Sequence, residues 1–334
     1  MMLNWPTLAQ LNTQTEPFVL VTVGAVKGSS PRETGTKMAV FPDCIIGTIG
    51  GGNLEFFAIE QARILLASAP FHTLSQKSTP LTPRFDQCCG GVVQLVFEKI
   101  QPTHCPWLNQ LAQFIDRSQS KPDVKSVWLF SDLISNKRIL LNSTPITTHQ
   151  AQIETATGFI EAVVLADMDI VIFGSGHVGR ALVQSLQYLN ANLDIIDSRE
   201  DQLNFSCAPQ IQKICTNDWQ SVIDRASNTT YYIVSTHSHQ LDFELIEAIL
   251  SKDRFCYCGL IGSKTKKIRF ERKLSTLGFH ANQIANITCP IGLPEIQGKS
   301  PAVIAASVCA QILIIQSQIT HNQIPHYSRE IHHE

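Results

Sequence analysis

None of the ten cysteines in this 334-residue chain belongs to a Cys-x-x-Cys pair, and their spacing follows no regular framework. That argues against a zinc knuckle, a thioredoxin-like centre and a disulfide scaffold, and it fits a reducing compartment. The opening residues, Met1-Met2-Leu3-Asn4-Trp5-Pro6, lack a basic segment followed by an apolar one, so no secretion signal is read and a cytoplasmic protein is expected. No basic run exceeds a short helix face and the net charge is −2, which argues against a nucleic-acid partner. The longest apolar stretch, Ala302 to Ile315, contains Ser307 and Gln311 and is shorter than a bilayer-spanning helix requires; it reads as a buried helix, with no membrane contact expected. Internal repeats and low-complexity segments are absent as well.

What the chain does have is a globular composition, 44% hydrophobic and 16% charged, and enough length for two domains. The halves carry different patterns. Pro17 to Lys27 alternates and is β-branched, and short strands are read at 36–41, 45–49, 92–97, 126–130 and 138–141, with hairpins as the simplest connections. An amphipathic helix starts near Asn53, places Leu54, Phe57, Ala58, Ala62, Leu65 and Leu66 on one stripe, and ends before Pro70. Residues 1–165 are therefore expected to form a strand-rich α+β domain.

From Ala166 strands alternate with helices: strands at 168–173, 192–196, 211–215, 231–235, 256–260 and near 287, helices at 177–189, 218–226, 241–250, 264–277 and 301–316. That is the pattern of a doubly wound parallel sheet, assigned to residues 166–319. Residues 320–334, with His321, His326, His332 and His333, read as a solvated tail rather than a metal site.

Gly50-Gly51-Gly52 run into the first helix, with Gly28-Ser29-Ser30-Pro31-Arg32 some twenty residues upstream. Glycines let backbone approach a ligand closely, and first-turn amides attract an anion. A tight ligand-free turn is the bland alternative, and the second loop weakens it. Cys88 and Cys89 precede Gly90-Gly91 in a turn, where a thiol can be exposed. A thiolate meeting a soft metal or carrying sulfur, and an inert thiol, both remain open there.

In the second half Gly174-Ser175-Gly176-His177-Val178-Gly179 follows a strand and opens a helix, and Asp197 ends the next strand. The glycines make the turn, admit a phosphate and let helix pack on strand, while Asp197 is placed to accept from a ribose hydroxyl. Ligands of such sheets lie outside the carboxyl strand ends, where Thr236-His237-Ser238-His239, Gly262-Ser263-Lys264 and Cys289-Pro290-Ile291-Gly292 also arrive. His237 and His239 could form a metal pair, but no third ligand has convincing spacing; the favoured reading puts one imidazole at the ligand and leaves the other capping the next helix or meeting solvent. Cys256 and Cys258 share a face by strand periodicity and read as small hydrophobes.

Taken together, Gly28 to Arg32, Gly35-Thr36-Lys37-Met38, the run Gly47 to Glu55 and Gln87-Cys88-Cys89-Gly90-Gly91 resemble the first domain of the xanthine dehydrogenase accessory factors, the XdhC/CoxI family. The second half resembles that family's Rossmann domain through Gly174 to Gly179, Asp197-Ser198-Arg199-Glu200, Thr236 to His239, Gly259 to Lys266 and Cys289 to Gly292. The chain departs from the family pattern at Ser238, where an acidic residue is common, and at Cys256 and Cys258, where apolar residues are usual. The resemblance implies a molybdenum-cofactor chaperone, more a maturation factor than an enzyme. Such a factor protects sulfurated molybdopterin cofactor, or its dinucleotide form, and helps insert it into apo-xanthine dehydrogenase or a related molybdenum hydroxylase, with sulfur supplied by a cysteine desulfurase. The expected cofactor-binding residues are Gly28, Ser29, Ser30, Arg32, Gly50, Gly51, Gly52 and Glu55, with Cys88 and Cys89 near the molybdenum. In the second half they are Gly174, Gly176, His177, Gly179, Asp197, His237, His239, Gly262, Ser263 and Lys264, which could also hold NAD(P) or another nucleotide. A homodimer is expected from the frequency of such assemblies. An NAD(P)-dependent oxidoreductase using the Rossmann half and a non-catalytic assembly scaffold are the competing functions.

Overall fold

The computed structural model describes residues 3–80, 91–120, 127–141, 152–208 and 211–322. Its contacts divide the chain into two units, Met1–Leu165 and Ala166–Glu334.

The first unit runs α1 (Trp5–Gln10), β1 (Phe18–Lys27), β2 (Lys37–Val40), β3 (Ile45–Gly47), α2 (Gly52–Ser68), β4 (Leu74–Pro80), β5 (Val92–Ile100), α3 (Pro106–Ser120), β6 (Val127–Asp132), β7 (Lys137–Leu141), β8 (Gln152–Glu154) and β9 (Gly158–Val163). One sheet has the order β3-β2-β1-β5-β4 and the other β7-β6-β9-β8, and every pairing within them is antiparallel. Strand alternation sends Val19, Val21, Val23, Leu95 and Phe97 to one face, where they bury Leu54, Ala58 and Ala62 of α2. It sends Phe18, Leu20 and Ile100 to the other, against Leu8 of α1, Leu108 and Leu111 of α3, and Leu129 and Val163 of the second sheet. Two ion pairs join the sheets, Lys37 to Glu161 at 2.5 Å and Arg138 to Glu98 at 3.2 Å, all four side chains buried. Burial pulls the Lys37 amine below its ordinary range, and Glu161 opposes that shift.

The second unit runs β10 (Met168–Phe173), α4 (His177–Leu186), β11 (Ala191–Asp197), β12 (Gln212–Cys215), α5 (Trp219–Arg225), β13 (Tyr231–Val234), α6 (His239–Lys252), β14 (Tyr257–Leu260), α7 (Lys264–Thr276), α8 (Ala281–Ala285), β15 (Ile287–Thr288) and α9 (Pro301–Asn322). Its strands are parallel and ordered β12-β11-β10-β13-β14-β15. This is the doubly wound order whose switch point lies between the first and fourth strands, here β10 and β13. The sheet separates two cores. One contains Phe173, Tyr232, Val234 and Cys258 with Ile246 and Ile249 of α6, and the other Ile170, Ile172 and Ile195 with Leu182 and Val183 of α4 and Ala305, Val308 and Ile312 of α9.

Three sequence expectations change. Cys256 precedes β14 and packs against the core opposite to that of Cys258, so the two do not share a face. α9 continues to Asn322, past the expected start of the tail at Thr320, and residues 323–334 lie outside the described ones. By length and composition that helix could cross a membrane, yet Ala305, Val308 and Ile312 pack it into the sheet core.

Candidate functional site

In the first unit the two glycine-bearing loops meet. A Cβ added to Gly50 would stand 2.9 Å from Pro31 Cβ and 3.1 Å from Arg32 Cγ, so only glycine lets the loops close. Gly50, Gly51 and Gly52 all have positive φ, as does Gly28. Ser30 shapes the upstream loop, its hydroxyl donating to Arg32 O at 2.8 Å. Ser29 is exposed and Arg32 half-buried. The Arg32 guanidinium forms no ion pair among the described residues. Gly91 lies against the same loop, where an added Cβ would be 2.2 Å from Ser29 O. Cys88 and Cys89 themselves lie outside the described residues.

The amides expected to hold an anion are largely taken. Glu55 Oε2 accepts from Ile49 N at 2.9 Å, Gly51 N at 3.1 Å and Thr48 Oγ1 at 2.5 Å, and Gly50 N donates to Thr48 Oγ1 at 3.1 Å. One turn into α2, the side chain reaches back and fills the nest with the protein's own carboxylate. Glu55 is thus an organiser of the glycine loop. The geometry fits a phosphate at Arg32 and does not fit one seated in the Ile49–Gly51 amides.

In the second unit the glycine fingerprint adopts the geometry its spacing implies. Gly174 has φ +104° and an added Cβ would be 2.3 Å from Ser235 O, while one on Gly179 would be 1.9 Å from Gly174 O. Gly176 is different: a Cβ there meets nothing within 4 Å, which leaves the space over the start of α4 open. α4 has no side-chain cap, so its first amides fit an approaching phosphate. His177 opens α4 and is exposed. Arg180 braces the loop from the helix, donating to Ser175 O at 3.0 Å and Gln202 O at 2.9 Å.

Asp197 is buried at the end of β11, but its carboxylate is occupied. Oδ1 accepts from Arg199 N and Nε at 3.0 and 2.9 Å, and Oδ2 from Ser175 N and Arg199 Nη2 at 2.8 and 2.9 Å. Burial alone would raise its pKa, but the bonds from Arg199 and Ser175 outweigh it and hold the carboxyl at about 2. A ribose hydroxyl could bond to Asp197 only by displacing one of these donors. Beside it, Gly174, Ile196, Asp197, Trp219, Thr236 and His237 line a shallow cleft at the switch point.

Of the histidine pair, His237 lines this cleft and His239 is the exposed first residue of α6. The cap of that helix is Ser238, whose hydroxyl accepts from Leu241 N at 3.3 Å, so the departure from the family pattern has a local role. Among the described residues no third metal-ligating group joins the histidines.

Gly262 and Ser263 lead into α7, with Ser263 as its cap, and Lys264 is exposed. The lysine that matters structurally is Lys266, whose Nζ donates to Asp242 Oδ2 at 2.5 Å and to Ile261 O at 2.9 Å. Asp242 Oδ1 in turn accepts from Thr236 N at 3.1 Å and Thr236 Oγ1 at 2.7 Å. This buried pair ties the ends of β13 and β14 together and holds Thr236 where it lines the cleft. Spacing alone puts Lys266 on one stripe with Phe270 and Leu274, all three buried, where a charge requires a buried partner.

Comparison with known proteins agrees with both halves. Residues 11–75 match the model of the XdhC and CoxI family, and residues 170–312 match that of the XdhC Rossmann domain. The Escherichia coli (strain K12) protein described as "Uncharacterized protein YqeB" is 22% identical over 313 residues; the match takes in 92% of this chain and 45% of that protein, so this chain spans less than half of its length. The fold is shared with a crystal structure described as a xanthine dehydrogenase from Bacillus halodurans, with a TM-score of 0.75 and 20% identity over 94% of this chain and 96% of that one. Motifs, parallel-sheet order and both family matches coincide, and the chain belongs to the XdhC and CoxI family.

Proposed function

We propose that this protein is an accessory factor for a molybdenum hydroxylase of the xanthine dehydrogenase type. It holds molybdopterin cofactor, protects the sulfurated form and assists its insertion into the apo-enzyme, with a cysteine desulfurase as the sulfur source and a homodimer as the working assembly. The observation carrying this reading is the closure of the Gly28–Arg32 loop on Gly50, which leaves the Arg32 guanidinium without an ion pair among the described residues. Arg32 would hold the cofactor's phosphate by charge-assisted hydrogen bonds, and Glu55 would keep the glycine loop in shape. When bound, the cofactor supplies the molybdenum centre that the target enzyme uses for hydroxylation. The test is activation of apo-enzyme by the purified protein. Cys88→Ala with Cys89→Ala and, separately, Arg32→Ala should each reduce activation, whereas unchanged activation by all variants would leave only the scaffold function.

The open space over Gly176 and the uncapped start of α4 favour a phosphate-bearing nucleotide in the Rossmann unit, either the dinucleotide end of the cofactor or NAD(P). Calorimetry with NAD, NADP and a cytosine or guanine nucleotide distinguishes these. Saturable NAD(P) binding with hydride transfer would support the oxidoreductase alternative, and absence of NAD and NADP binding at millimolar concentration would remove it.

A further inference from the structure

The first unit gathers three metal-ligating side chains of different chemistry at a place with no part in the function above. His72, Glu98 and Cys105 present an imidazole nitrogen, a carboxylate oxygen and a sulfur that all lie within 4.8 Å of one another. Glu98 is six residues along β5 from Val92, so the cluster is about 20 Å up the strand from the end that meets the glycine loops.

Each side chain is positioned by the fold. His72 sits in the turn between α2 and β4 at φ +61°, and its N–H donates to Lys99 O at 2.7 Å. Lys99 Nζ holds the same turn by donating to Leu66 O and Ala69 O at 2.6 and 2.8 Å. The His72 imidazole has no hydrogen bond among the described residues and is half-buried. Glu98 is oriented by Trp107 Nε1, which donates to Oε1 at 3.0 Å, and by Arg138 Nε, 3.2 Å from Oε2. An oriented carboxylate of this kind is what a ligating acid needs behind it. Cys105 immediately precedes α3; its carbonyl accepts from Asn109 N, and the amides of Trp107 and Leu108 face its sulfur. Helix-start amides favour a thiolate.

We propose that His72, Glu98 and Cys105 bind a zinc-class divalent cation through three protein ligands, with a fourth position on the side of the half-buried His72. Nitrogen, oxygen and sulfur donors in one tetrahedral set suit zinc, whose bonds of about 2.0–2.3 Å put ligand atoms roughly 3.3–3.9 Å apart, within reach of small side-chain adjustments here. The ion clips the end of α2, the strand β5 and the start of α3 to one another. On binding, the Cys105 S–H bond gives way to a sulfur–metal bond and the proton leaves to solvent. Because that proton must leave, loading competes with protons and tightens as pH rises.

The test uses the full chain, stripped of metal and titrated with Co²⁺ as a spectroscopic stand-in for zinc, alone and with Cys88→Ser and Cys89→Ser in place. One Co²⁺ per chain with a sulfur-to-cobalt charge-transfer band, displaced by Zn²⁺ and retained in the Cys88/Cys89 double variant, is the expected result. Cys105→Ser should abolish the band. His72→Asn, which tolerates the left-handed turn, should weaken Co²⁺ binding by about tenfold or more and cancel the rise in melting temperature on adding Zn²⁺, while the metal-free protein melts as the wild type does. No stoichiometric binding, a band that survives Cys105→Ser, or a band lost with Cys88 and Cys89 would each overturn the assignment.

Discussion

Glu55 Oε2 accepts the backbone N–H of Gly51 at 3.1 Å, and this contact determines what the glycine loop can do. Glu55→Ala removes the acceptor for Ile49 N and Gly51 N together. Stability should fall by about 1–2 kcal/mol in urea unfolding. The freed amides should also make the melting temperature respond more strongly to added phosphate than in the wild type. A variant with unchanged stability and no added phosphate response would contradict the self-filled nest.

The Asp197–Arg199 pair gives a pH signature with a defined sign. A carboxyl held at about 2 when folded, against an ordinary value near 3.8, contributes stability that is fully present above about pH 4 and is lost as pH falls toward 2. With Arg199 36% exposed, the contribution is on the order of 1–2 kcal/mol. Arg199→Ala leaves Asp197 buried without its main partner, so acid unfolding should begin at higher pH than in the wild type. Circular dichroism across pH 2–6 measures this.

Asp242 and Lys266 should behave as a unit. Removing one partner leaves a buried charge, and Lys266→Met or Asp242→Leu alone should cost about 3–5 kcal/mol, with the double variant recovering much of the loss. Urea unfolding of the four proteins in the cycle measures the coupling. Additive losses would mean that the 2.5 Å contact contributes no coupling.

Gly176 and Gly179 separate ligand space from packing. Gly176→Ala adds a methyl group that meets nothing, so the fold should be unaffected while nucleotide affinity falls. Gly179→Ala drives a methyl group into Gly174 O, so stability should fall by at least 1 kcal/mol, an order-of-magnitude figure for overpacking. Thermal melts with and without nucleotide distinguish the two effects.

The parts legible in the sequence are those fixed by local periodicity and backbone demands. The Gly174–Gly179 turn, Asp197 at a strand end and the β/α alternation all follow from short-range spacing. Lys266 hints at a buried partner by its stripe, but Asp242, 24 residues away, is fixed as that partner only by the fold. Glu55 belongs to the glycine-loop motif, but spacing does not set its direction: an acid one turn into a helix can face a ligand or turn back to its own amides. The His72, Glu98 and Cys105 cluster carries no spacing signal at all, since it depends on the α2–β4 turn folding back onto β5.

The most direct measurement is the pterin and molybdenum content of the protein purified after co-expression with the cofactor pathway, compared with Arg32→Ala. Cofactor holding at this loop requires oxidised-pterin fluorescence and molybdenum approaching one per chain in the wild type, and several-fold less in Arg32→Ala at unchanged melting temperature. Wild-type protein carrying no more pterin or molybdenum than an unrelated control purified alongside it would contradict the cofactor-holding function outright.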